Sequence, residues 1–154
     1  MYLASVILLL AVFPAISVGI ESALGHGSLA MLSLKWFVFW ACGIRLAVAG
    51  LRQVLQPGFT ANEIFEIEGS AANPIVRELG FANLCIGLLG IVSLPVPAWQ
   101  MPAALTGGLY YGLAGLMHLR SSKKSRNEWI ALYSDLALFL LLAGLFACAL
   151  LSHK

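Results

Sequence analysis

From Tyr2 to Ile20 the chain runs without one Asp, Glu, Lys or Arg, and a water-soluble fold has nowhere to put such a segment. A helix crosses a hydrocarbon layer of about 30 Å with about 20 apolar residues, each rising about 1.5 Å. Five stretches meet that requirement: residues 2–20, 30–55, 74–94, 102–119 and 126–151. They leave no length for a soluble domain, so residues 1–154 read as a single membrane domain. The fold class is all-α, a polytopic transmembrane helical bundle with five predicted spans. Charged residues make up 10% of the 154-residue chain, against about 25% in soluble domains. A net charge of +2, from nine basic and seven acidic residues, is too small for a nucleic-acid partner.

The first span lacks the basic residues that open a signal peptide, and its apolar run is long for one. It reads as a retained helix, kinked at Pro14. Lys and Arg accumulate in cytoplasmic loops. The connection from Arg120 to Arg126 holds four of the nine, Lys123 and Lys124 included. Placing it inside also puts Arg52 and Arg77 inside and leaves Lys35 and Lys154 outside. The N-terminus is then cytoplasmic and the C-terminus periplasmic or extracellular, in a bacterial inner membrane. A four-span arrangement would reverse part of this.

The connection after the second span predicts a short amphipathic helix over about 61–68. Thr60 and Glu63 form a capping box, Phe59 and Ile64 a hydrophobic staple, and Gly69 a stop. The helix is acidic on one face and reads as an interfacial connector or as a lid over a cavity. Asn73-Pro74 is read as the cap and first turn of the third span, and Ser125-x-x-Glu128 as a second capping box. Cys42, Cys85 and Cys148 are isolated inside helices and read as small buried apolar residues. His26, His118 and His153 lack metal-ligand spacing, so no metal site is assigned.

Helices in lipid associate by close packing of small residues rather than by hiding apolar surface. Gly80, Asn83, Gly87 and Gly90 share one face of the third span, and Gly108, Gly112 and Gly115 one face of the fourth. Gly43 and Ala47 in the second, and Ala143 and Ala147 in the fifth, are the candidate partners. The expected arrangement is a bundle of the last four helices with the first packed on its side.

Ionisable groups at membrane depth are costly, so they are the first place to seek function. Arg45 precedes Arg52 by seven residues and Asp135 follows Glu128 by seven, which puts each about 10 Å inside the membrane from the cytoplasmic side. The two are expected to face one another or a shared wet cavity. Glu78, Asn83, Tyr111 and His118 fall in the same half, with Tyr133 nearby, while the outer half holds almost no polar group. An Arg–Asp pair can simply fix helix register. Arg45 can equally hold a headgroup, because a guanidinium presents a planar fork of donors.

The stretch from Glu68 through Asn73-Pro-Ile-Val-Arg77-Glu78-Leu-Gly80-Phe-Ala-Asn83-Leu-Cys-Ile-Gly87-Leu-Leu-Gly90 resembles a family of small uncharacterised bacterial integral-membrane proteins. The glycine-rich helix ending in His118 is similar too. More loosely the chain looks like the DoxX-like bundles, some of which are membrane subunits of quinone-linked oxidoreductases. Its size also resembles the trimeric membrane enzymes that use glutathione, without a residue-by-residue match. These resemblances carry no catalytic residue to a position here and name no cofactor.

The reading is therefore a non-catalytic membrane subunit or an amphiphile-binding bundle, with a polar pocket in the cytoplasmic half formed by Arg45, Asp135, Glu78, Asn83, Tyr111 and His118. Its partners are the bilayer, a lipid, quinone or other amphiphile, and a second copy or partner membrane subunit. The alternatives are a membrane enzyme using His118, Glu78 or Asp135 for proton transfer, and a small transporter.

Overall fold

The computed structural model describes residues 2–122 and 124–152; Lys123, His153 and Lys154, used above for charge and ligand spacing, lie outside them. All regular structure among the described residues is helical. Helix α1 is Tyr2–Ala23 and α2 is Leu29–Leu55. A short helix, α3, is Phe59–Ile64, α4 is Asn73–Val92, α5 is Gln100–Arg120 and α6 is Arg126–Ser152. The α1–α2 turn uses Gly25 and Gly27 at φ +77 and +74, values that glycine adopts without steric cost. The Ser28 hydroxyl then accepts from the Met31 amide to cap α2. Pro97–Trp99 forms a 3₁₀ turn leading into α5.

The seam between α2 and α4 sets the spacing of the bundle. A Cβ placed on Gly87 would lie 2.6 Å from the Ala47 backbone nitrogen, and one on Gly50 2.6 Å from the Gly80 carbonyl oxygen. One on Gly90 would collide with the Gly43 backbone. The two backbones therefore touch along three successive levels, which only small residues allow. On the other side, α5 lays Gly112 and Gly115 under Phe139 and Leu136 of α6, and Gly107 under the Cys42 thiol of α2. Val38, Cys42, Ala103, Ala104, Tyr111, Leu138 and Leu142 close the centre. Helix α1 lies outside this centre and buries only Val6, Pro14 and Val18.

Four helices, α1, α2, α4 and α6, are long and apolar enough to cross a membrane. Helix α5 has the length, at 21 residues, but its glycines, two tyrosines, His118 and Arg120 dilute its hydropathy, so the count of five is not reached on these criteria. Besides α3, two of the long helices contain π-type turns. Leu8–Val12 takes them just before Pro14, and Val38–Arg45 ends at the buried arginine. Such turns are often found at functional sites.

Several local expectations are corrected. The short helix is Phe59–Ile64 rather than 61–68, and its turns are of π type. Thr60 is buried and caps nothing, and the chain leaves the helix before Glu66, which adopts φ 55. Asn73 is the first residue of α4 instead of its cap, and its Oδ1 is buried without a partner. Ala143 and Ala147 are exposed, and α6 packs instead through Leu138, Leu142 and Ala149. Cys85 and Cys148 are exposed, so only Cys42 is a buried apolar cysteine.

The glycine seam makes a direct prediction. Gly87→Val forces a branched side chain between touching backbones and should destabilise the bundle by at least about 3 kcal/mol. Gly144 has nothing within 4 Å of its would-be Cβ, so Gly144→Ala should change stability by less than about 0.5 kcal/mol. Denaturant titration of both variants in mild detergent checks the contrast.

Candidate functional site

Polar side chains from all six helices converge on one cavity of about 150 Å³. Helix α1 contributes Tyr2, Ser5, Val6 and Leu9 to its wall. Helix α2 contributes Arg45, Ala49, Arg52 and Gln53; α4 gives Asn83, α5 gives Tyr110, Tyr111 and His118, and α6 gives Asp135. Phe59, Thr60 and Ile64 of α3, with Phe65 beyond it, close one end.

Arg45 occupies the deep part of this space. Its Nη2 lies 3.4 Å from Asp135 Oδ1 and 3.4 Å from Ser134 Oγ, and both charged side chains are nearly buried, at 13% and 8% exposure. Charge-assisted bonds close to about 2.7–2.9 Å when fully formed, so this pair is a loose one. The guanidinium carbon stands 5.2 Å from the centre of the Tyr111 ring, within range of a cation–π contact. The Tyr111 hydroxyl is itself fixed, donating to the Ala41 carbonyl at 2.5 Å. Both hydrogen bonds of the guanidinium to α6 leave from Nη2. The Tyr2 and Tyr111 phenols are its other polar neighbours.

A second polar cluster sits on the α2–α4 seam. The Asn83 amide donates to Gln53 Oε1 at 2.7 Å, with both residues buried, and also meets the Tyr110 hydroxyl. Asn83 Oδ1 is buried with no hydrogen-bond partner. A third cluster pairs His118 Nδ1 with Glu128 Oε1 at 3.3 Å, both buried. Phe65 stacks over the imidazole with ring centres 5.5 Å apart. The Ser125 hydroxyl donates to the Glu63 and Ile64 carbonyls, and Asn127 donates to that of Glu63. The end of α3 is thereby fastened to the start of α6, over the cavity.

Of the six residues selected from sequence, Arg45, Asp135, Asn83, Tyr111 and His118 line this cavity. Glu78 does not: it is on the exposed face of α4. Tyr133 is also exposed, at 67%. Gln53, Tyr2, Tyr110 and Glu128 were not selected. Gln53 carried a usable signal, since it lies eight residues after Arg45 and so on nearly the same helix face. Glu128 was assigned to the capping box. Its amide does bond the Ser125 hydroxyl at 3.0 Å, but its carboxylate turns to His118 rather than back to the cap.

Polar groups are not confined to one end of the bundle. At the α1–α2 turn, Lys35 Nζ bonds both carboxylate oxygens of Glu21 at 2.7 and 2.9 Å, and Trp36 Nε1 donates to the same group at 2.6 Å. This cluster tethers α1 to α2. Among the described residues no three His, Cys, Asp or Glu side chains group as metal ligands would.

The fold and cavity define a class: an all-helical bundle, with helices apolar enough to span a membrane, enclosing a small polar chamber around a buried arginine. Within that class the chain belongs to the family described as "Family of unknown function (DUF6790)", whose model matches residues 1–153. No curated protein and no solved structure matches it.

The Arg45–Asp135 geometry is open to a double-mutant test. Removing one member of a buried pair strands the other charge and costs about 3–5 kcal/mol, whereas replacing both with apolar residues is close to neutral. Arg45→Met and Asp135→Leu should each lower stability by that amount, and the double variant should recover most of the loss. Denaturation of the three variants in the same detergent checks it.

Proposed function

We propose that the protein is a five-span membrane bundle that binds an amphiphile, with the ligand's polar head in the α1–α6 cavity and its tail in the lipid. The observation that carries this reading is the guanidinium of Arg45, which lines the cavity and holds its counter-charge Asp135 only loosely. A guanidinium has five N–H donors. Here its bonds to α6 come from one nitrogen and are 3.4 Å long, inside a chamber large enough for one ring or a head of that size. A 150 Å³ cavity in an apolar core accepts a benzene ring. The thinly packed α1 forms one wall and exposes Leu3, Ile7 and Leu8 on its outer face, which supplies a route for an acyl or prenyl tail.

In this reading α5 spans as well, and the connection from Arg120 to Arg126 faces the cytoplasm of a bacterial inner membrane. The cavity then lies in the cytoplasmic half, with the Glu21–Lys35 pair at the opposite interface. The remaining apolar faces meet lipid, a second copy or a partner subunit, as in the DoxX-like bundles. Enzyme and transporter readings draw less support. Glu78 stands outside the cavity, and His118 is held by Glu128 beneath Phe65.

Native mass spectrometry of protein extracted in mild detergent should show a retained amphiphile. Ala49 lies in the cavity wall and is not engaged in its hydrogen bonds, so Ala49→Phe should abolish retention with the helical content unchanged. Retention of the same ligand by the filled variant would refute the cavity as its site. Orientation is checked separately in a chain with Cys42, Cys85 and Cys148 replaced by alanine. In intact cells a membrane-impermeant maleimide should label Leu24→Cys and spare Ser122→Cys.

A further inference from the structure

Every polar atom deep in a bundle of this kind needs a partner, because an unmet buried group loses its water without replacement. Asn83 breaks that rule inside the cavity. It is 1% exposed, its Nδ2 is engaged by Gln53, and its Oδ1 has no partner. The place of Asn83 on the seam is set by its neighbours on α4. Gly80 and Gly87, on the same face of α4, are pressed against the Gly50 and Ala47 backbones of α2, and Gln53 holds the nitrogen from the same helix. The unmet atom is an acceptor, whereas a guanidinium such as that of Arg45 offers only donors. A head that satisfies both must bring an acceptor for the arginine and a hydrogen-bond donor for Asn83.

We propose that the ligand's head is hydroxylated, as in a phenol, a quinol or a small alcohol, and that Asn83 selects it over carbonyl-only, ether or phosphodiester heads of similar size. The proposal rests on the amphiphile-binding reading and adds the class of head and the residue that discriminates. Its physical basis is asymmetric. A site built around a buried polar group rejects the analogue lacking the matching group far more strongly than an apolar site rejects an added one. A methyl ether keeps the oxygen acceptor for Arg45 and replaces the proton that Asn83 requires with a methyl group.

The experiment uses the full-length protein in mild detergent and a matched pair of probes, 4-octylphenol and 4-octylanisole, competed against each other by native mass spectrometry. The native chain should prefer the phenol by at least about tenfold, the scale expected when a buried acceptor finds its donor. Asn83→Leu should bring the two probes to parity while still binding both. Equal affinity of the native chain for both probes would overturn the role of Asn83 and leave the amphiphile-binding reading standing. Binding of neither probe, by a native chain whose helical content is intact, would overturn that reading and this inference with it.

Discussion

A positive charge that cannot be neutralised sits inside a bundle made almost entirely of apolar side chains. Arginine stays protonated in proteins, so Arg45 must be compensated where it stands, and the arrangement around it follows from that need. Asp135 and Ser134 approach from α6, the Tyr111 ring from α5 and the Tyr2 phenol from α1. The contacts to Asp135 and Ser134 are both 3.4 Å long. The compensation is distributed over several partial contacts, and the volume it leaves unfilled is the cavity.

Such a chamber survives only if the surrounding helices cannot slide inward to fill it. The glycine seam provides this resistance. Along Gly43, Ala47 and Gly50 on α2, and Gly80, Gly87 and Gly90 on α4, backbone meets backbone, so the two helices are already at their closest approach. Glycines of α5 lock in the same way against Phe139 and Leu136 of α6. Each pair is fixed internally, and Arg45 of the first meets Tyr111 and Asp135 of the second where the pairs face one another. Helix α1 lacks a comparable seam and is held by side chains at its two ends. Glu21 bonds Lys35 and Trp36, Ser17 accepts from Trp40, and the Tyr2 ring lies near that of Phe59.

Much of this was legible in the sequence. Apolar runs of span length gave the helices, and glycine spacing of three and four gave the faces of α4 and α5. Opposite charges at matched depth identified Arg45 and Asp135. What stayed hidden were interactions that join distant parts of the chain without a periodic signal. The partner of His118 proved to be Glu128, a residue already occupied in the reading by a cap, because one side chain can serve either a local or a distant contact. Glu78 was selected by depth alone, and depth does not say which way a residue faces. The short helix was misplaced because a capping box is a local pattern. The π-type turns from Phe59 and the bonds from Ser125 and Asn127 to α3 are decided by packing. A count of five spans rests on α5, whose hydropathy is diluted by the glycines and tyrosines that suit it to packing.

The claim on which the account turns is that the space around Arg45 is a place for a ligand and not a flaw in packing. An experimental density map of the protein in a lipid nanodisc tests it directly. The account predicts non-protein density within hydrogen-bond reach of both Arg45 and Asn83, continuing past α1 into the bilayer. A map in which Arg45 and Asp135 close to about 2.8 Å, with α1 collapsed onto α2 and the chamber gone, would contradict it.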